Sequence, residues 1–146
     1  MKKLSIHQAI KTRVLLLDGA MGTMIQQYKL QEEDYRGHRF KDTSIPQKGN
    51  NDLLNLTQPD IVKEIHSKYL KAGADILETN TFNANAISMA DYKMTEQVYE
   101  INKKAVELAV EAIDDHIKNG GSAERWVAGS MGPTNRTASM SADVSS

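Results

Sequence analysis

Three short polar clusters hold the groups able to do chemistry in this sequence: Asp18-Gly19-Ala20-Met21-Gly22-Thr23, Glu78-Thr79-Asn80-Thr81 and Ser130-Met131-Gly132-Pro133-Thr134-Asn135-Arg136. Each follows a short apolar run: Val14 to Leu17, Ile76-Leu77, and Trp126 to Gly129. The run before Asp18 shows no alternation, which suits a strand covered on both faces in a parallel α/β sheet. Asp18 then stands at the carboxyl end of that strand, where such folds place their ligands. Gly19 and Gly22 allow a tight turn or a close approach of backbone to ligand. Taken alone, the same residues also fit an acid capping a turn, followed by ordinary turn glycines.

Phosphate chemistry does not fit. Gly19-Ala20-Met21-Gly22 lacks the third glycine of a dinucleotide fingerprint and the Gly-Lys-Ser/Thr of a P-loop. Haloacid-dehalogenase-like phosphatases share an apolar strand leading into Asp-Gly. They need a nucleophilic aspartate two residues before the acid, and Leu16 stands there.

Leu4 to Lys11 reads as a short amphipathic helix leading into the strand Val14 to Leu17. Ala20 to Leu56 is a long excursion without a sustained period, with a helical turn expected near Thr23 to Tyr28. Its aromatics Tyr28, Tyr35 and Phe40 suggest that part of it packs, and loops this long are usually functional or disordered. Thr57-Gln58-Pro59-Asp60 starts a helix, with Pro59 at its first position and Asp60 at the positive end of the dipole. Ile61, Val62, Ile65, Tyr69 and Leu70 form its apolar half, with His66 near the margin as a core-edge histidine expected to have a hydrogen-bond partner. Gly73 ends it. After the strand at Ile76-Leu77 comes a short helix, Asn83 to Ala90, and then a longer one capped by Thr95 and running through Lys118. Val98, Ile101, Ala105, Leu108, Ala109, Ala112 and Ile113 share its apolar face. Asn102 lies on that face and should find a buried partner; His116 suits the helix's C-terminal end. The strand from Trp126 follows. Strands alternating with helices imply parallel β/α units, and right-handed crossovers would bring all three polar strand ends to one face. That convergence favours a functional Asp18 over a simple turn residue.

A chain of 146 residues suffices for one domain with a real core. A net charge of −1 advertises no nucleic-acid or membrane partner, and no apolar segment approaches the ~20 residues of a membrane span. A soluble, cytoplasmic domain is the default. Cysteine is absent, which excludes disulfides and thiolate metal sites within these residues. The four histidines, His7, His38, His66 and His116, fall on unrelated elements, so no metal ligand is assigned here.

Four blocks, in order and at compatible spacing, resemble the homocysteine-binding domain of cobalamin-dependent methionine synthases, within the homocysteine S-methyltransferases. They are Leu17 to Gln26, Lys48-Gly49-Asn50-Asn51-Asp52-Leu53-Leu54, Ala72 to Phe82, and Ala128 to Thr137. The Asn135-Arg136-Thr137 extension favours methionine synthase over simpler, cobalamin-independent homocysteine methyltransferases. The resemblance implies an α/β fold, the first three β/α units of a (β/α)8 TIM-type barrel, with residues 1–146 as its N-terminal portion. It implies a methyltransferase of methionine biosynthesis: a zinc-activated homocysteine thiolate takes the methyl group of methylcobalamin, which methyltetrahydrofolate then restores on another module. On this resemblance Asp18 receives the substrate ammonium, the Gly19 and Ala20 backbone lies near its carboxylate, and Glu78, Asn80 and Asn135 line the same pocket. An anion facing an ammonium and free amides facing a carboxylate make physical sense. The family's zinc ligands are three cysteines in later strands, so zinc and methylcobalamin belong to other parts of a longer parent, as do the folate- and cobalamin-binding modules. The piece by itself is expected to be inactive in methyl transfer. A small-molecule-binding module that dispenses with zinc is the non-enzymatic alternative.

Overall fold

The computed structural model describes residues 3–136. Residues 137–146, expected to carry neither helix nor strand, lie outside them, as does Thr137 at the end of the last block. In chain order the elements are α1 (Ile6–Ala9), α2 (Met21–Gln26), α3 (Glu32–Arg36), α4 (Leu54–Thr57), α5 (Pro59–Lys71), β1 (Ile76–Glu78), α6 (Ala86–Ala90), α7 (Val98–Lys118) and β2 (Trp126–Ala128). Short 3-10 turns over Asn51–Leu53 and Thr95–Gln97 precede α4 and α7.

β1 and β2 pair in parallel, with Ile76 opposite Trp126, Leu77 opposite Val127 and Glu78 opposite Ala128. Helices α6 and α7 make the crossover, so the expected β/α alternation is present. The first strand is not. Val14 to Leu17 contributes one isolated parallel bridge, Leu17 to Ile76, held by the Asp18 amide on the Ile76 carbonyl (2.9 Å) and the Ile76 amide on the Leu16 carbonyl (3.1 Å). Nor is it covered on both faces: Val14 is 80% exposed, and Leu16 and Leu17 are 54% exposed. The physical reason is the lack of neighbours. Among the described residues only β1 pairs with this segment, and Val14, Leu16 and Leu17 are left largely uncovered.

Below the strands, a carboxylate ties the three crossings together. Asp75, just before β1, accepts the Leu16 amide (2.8 Å) and the guanidinium groups of Arg13 (3.0 Å) and Arg125 (3.2 Å). Burial alone would raise its pKa, but the Leu16 amide and the two arginines outweigh burial and hold it below the usual carboxylate range.

Helix α5 begins at Pro59 as expected, with Gln58 as its N-cap. It packs against α7, whose buried face is Ile101, Ala105, Leu108, Ala109, Ala112 and Ile113. Both also meet α4. α7 starts at Val98 rather than at Thr95, because Thr95–Gln97 winds as a 3-10 turn. Asn102 has its partners: its side-chain amide donates to the carbonyls of Ala84 and Val98, both at 2.8 Å. His66 departs from expectation. It is fully buried rather than at the margin, and neither ring nitrogen has a hydrogen-bond partner among the described residues. Cover from α7, α4 and α2 closes over more of α5 than its apolar stripe alone indicates.

The long excursion is ordered. Tyr35 and Phe40 are buried, and α2 stands where a helical turn was expected, shifted to Met21–Gln26. Glu32 on α3 accepts the backbone amides of Gln47 and Lys48 and the Arg36 guanidinium. That carboxylate pins the segment leading into Gly49-Asn50-Asn51-Asp52. No helix among the described residues is long and apolar enough to cross a membrane.

Candidate active site

At the carboxyl ends of β1 and β2, and beside the Leu17 bridge, lies a pocket of about 590 Å³. Its walls come from Asp18 to Gly22, from Gly49, Asn51 and Asp52, from Glu78 to Asn83, and from Gly129 to Met131. Every polar strand end singled out in the sequence therefore reaches one cavity. Among the described residues no lysine, arginine or histidine lines it, whereas three carboxylates do: Asp18, Asp52 and Glu78.

Asp18 is half-buried. Both of its carboxylate oxygens accept the Glu78 backbone amide at 3.2 Å. Burial pushes its pKa up to about 6; the Glu78 amide opposes this, and the Glu78 charge reinforces it. The following turn is tightly packed. A Cβ on Gly19 would lie 2.8 Å from the Tyr69 hydroxyl oxygen and 2.9 Å from its ring, so any side chain there would have to displace Tyr69 or the turn. The amides of Gly19 and Ala20 donate to no acceptor among the described residues, and both residues face the pocket.

On the opposite wall Asp52 is only 3% exposed. Among the described residues its carboxylate has one hydrogen bond, from the Asn83 amide at 2.6 Å, and burial raises its pKa to about 6 against that bond. Asn80 lines the pocket too, but its amide nitrogen is committed elsewhere, to the Asn51 carbonyl (2.9 Å) and Asn55 Oδ1 (3.1 Å). Asn55 answers by donating to the Asn80 carbonyl at 2.8 Å. Asn80 thus ties two walls together.

A hydroxyl circuit joins the loops after β1 and β2. The Ser130 amide donates to Thr79 Oγ1 (3.1 Å), and Thr81 Oγ1 donates to the Ser130 carbonyl (2.8 Å). Thr81's only proton is thereby used, so in the 2.7 Å contact between the two hydroxyls Thr79 is the donor. Nearby, the Gly132 amide donates to the Phe82 carbonyl at 3.0 Å, so close that a Cβ at 132 would overlap that oxygen.

Asp18, Gly19, Ala20, Glu78 and Asn80 thus share one pocket, while Asn135 lies exposed outside its lining. Asn51, Asp52 and Asn83 were not singled out as site residues. The signal available was the polar run Asn50-Asn51-Asp52 placed directly before Leu53-Leu54. It carried the family resemblance, but no period or motif rule gives it a role.

A family model described as homocysteine S-methyltransferase matches residues 15–146. The chain belongs to the homocysteine S-methyltransferase family. Among solved structures it is similar to the homocysteine methyltransferase MmuM from Escherichia coli. Identity is 25% to the metallated form, over 88% of this chain and 41% of that one, with a TM-score of 0.66. Identity to the oxidized form is 26%, over 88% and 40%, with a TM-score of 0.69. The chain spans about two fifths of the length of these homocysteine methyltransferases. One of these two similar structures is a metallated form. The chain has no cysteine, and no three histidine, aspartate or glutamate side chains gather among the described residues in a way that could hold an ion. A thiolate-held zinc does not fit the residues present.

Proposed function

We propose that residues 1–146 are the substrate-amino-acid side of a homocysteine methyltransferase, built as the first three β/α units of a (β/α)8 barrel. In this reading the ammonium of homocysteine pairs with Asp18, with Glu78 alongside, and its carboxylate takes the unpartnered amides of Gly19 and Ala20. Asn80 orders the wall around them, and Asn135 completes the pocket only if its loop folds inward on binding. The observation that carries the reading is the meeting, in one cavity, of an acid without a counter-ion and two amides without acceptors. These are the complementary halves of an amino acid's charged end. The reaction class is transfer of a methyl group to the homocysteine sulfur, giving methionine.

Of the family's members we favour a methionine synthase using methylcobalamin, because of the Asn135-Arg136-Thr137 extension after Gly132-Pro133-Thr134. Zinc, methylcobalamin and the folate- and cobalamin-binding modules then belong to other parts of a longer enzyme. The similarity to MmuM supports a cobalamin-independent homocysteine methyltransferase as the second reading. Homocysteine binding is common to both.

The test is Asp18→Asn in the full-length protein. Losing one charge-assisted hydrogen bond should weaken homocysteine binding by ~1.5–3 kcal/mol, with metal content unchanged. Calorimetric titration showing wild-type affinity in the variant would return Asp18 to the role of a turn residue.

A further inference from the structure

Tyr69 lies on α5, outside the pocket lining, and by its sequence position it belongs to an apolar helix face. Its ring is partly buried and packs against two of the core clusters, the one around Val62 and Ile65 and the one around Leu70 and Leu77. Packing explains the ring. It does not explain the hydroxyl, which reaches the Ala20 carbonyl oxygen at 3.1 Å. Burial, and then the negative charge of Asp18, raise the phenol's pKa, so at neutral pH the hydroxyl keeps its proton and donates it.

The Asp18-Gly19-Ala20 turn is consequently held at both ends. On one side the Asp18 amide donates to the Ile76 carbonyl at 2.9 Å. On the other the Ala20 carbonyl accepts from Tyr69. Between them Gly19 rests against the tyrosine ring, so close that a side chain there would displace the ring or the turn. Neither clamp uses the Gly19 or Ala20 amide. The two donors are fixed in direction yet left free, as a preorganised ligand site requires.

We propose that Tyr69 is a positioning residue for ligand binding, its hydroxyl and ring together aiming the Gly19 and Ala20 amides at a ligand carboxylate. The proposal rests on the homocysteine reading above and adds a residue that touches no ligand. Tyr69→Phe keeps the ring and removes the hydroxyl. In the full-length protein it should weaken homocysteine binding about tenfold, the scale of one hydrogen bond, without moving the unfolding midpoint. The discriminating probe is the decarboxylated analogue of homocysteine, which retains the ammonium and the thiol. Its affinity should be the same for wild type and Tyr69→Phe, because only a carboxylate uses the positioned amides. Gly19→Ala, which pushes the turn off the ring, should show the same selectivity for the carboxylate-bearing ligand and supplies the comparison should Tyr69→Phe fail to fold. Equal homocysteine affinity in wild type and Tyr69→Phe overturns the proposal. So does an equal loss for both ligands, which would mark Tyr69 as a packing residue only. A wild-type protein that binds neither ligand overturns the homocysteine reading itself, and this inference with it.

Discussion

Asp18, Asp52 and His66 share one circumstance: each is ionisable, each is placed where water is scarce, and none has an ion-pair partner among the described residues. Burial disfavours the charged form in all three, so the acids move up to about 6 and the histidine down to about 4. The consequences for stability have opposite signs. Below pH 6.5 an unfolded chain protonates His66 while the buried ring resists, so this contribution is present above 6.5 and lost as pH falls towards 4. The two aspartates hold protons in the folded state that the unfolded chain releases, so theirs is present below 3.8 and lost as pH rises through about 6. His66→Leu isolates the first effect. In the full-length protein, lowering the pH from 7.5 to 4.5 should cost the wild type roughly 2–3 kcal/mol more than the variant, as read by denaturant titration; parallel pH profiles would mean that the ring has a partner or water. For ligand binding only the ionised Asp18 attracts an ammonium. Homocysteine affinity should therefore drop about tenfold between pH 7 and pH 5, and Asp18→Asn should flatten that dependence. An equally steep profile in the variant would assign the titration to another group.

Among the elements, what could be read from the sequence was what local chemistry decides. Pro59 after Thr57-Gln58 starts α5, the 3.6-residue period of Ile101 to Ile113 fixes the buried face of α7, and Asn102 on that face needed and has acceptors. Other features depend on neighbours far along the chain. Val14 to Leu17 has the composition of a buried strand, yet pairing is a property of two segments, and among the described residues only β1 pairs with it. Thr95 looks like a cap, but the chain first winds a tighter turn and the helix begins three residues later. Asp52 carries no local signature of a pocket wall; the Asn83 amide, 31 residues away, holds it there. The loop after β2 depends in the same way on the loop after β1, through Thr79, Thr81 and the Gly132–Phe82 contact. Gly132→Ala should force these loops apart, costing about 1–3 kcal/mol as overpacking does and lowering homocysteine affinity as well. A variant with the wild-type unfolding midpoint and affinity would show that the loops adjust freely.

For the whole molecule, the apolar surface left open is large. Val14, Leu16 and Leu17 are exposed along one side of the strands, and Tyr99, Val106, Val110 and Ile117 along α7. Unpaired strand edges and apolar patches of this kind recruit other chains. A polypeptide of residues 1–146 made alone should therefore self-associate and show no methyl transfer. Size-exclusion chromatography giving a monomer with a sharp, cooperative unfolding transition would identify a self-sufficient fold and contradict the barrel-segment reading. The pocket gathers Asp18 and the free Gly19 and Ala20 amides on one wall, so on the proposed function this part should hold the amino-acid end of the substrate. The most direct measurement is a crystal structure of the full-length protein with homocysteine bound. The ligand ammonium should lie within about 3 Å of an Asp18 carboxylate oxygen and its carboxylate within the same reach of the Gly19 or Ala20 amide. Homocysteine seated elsewhere, with the Asp18 pocket holding only water, would contradict it.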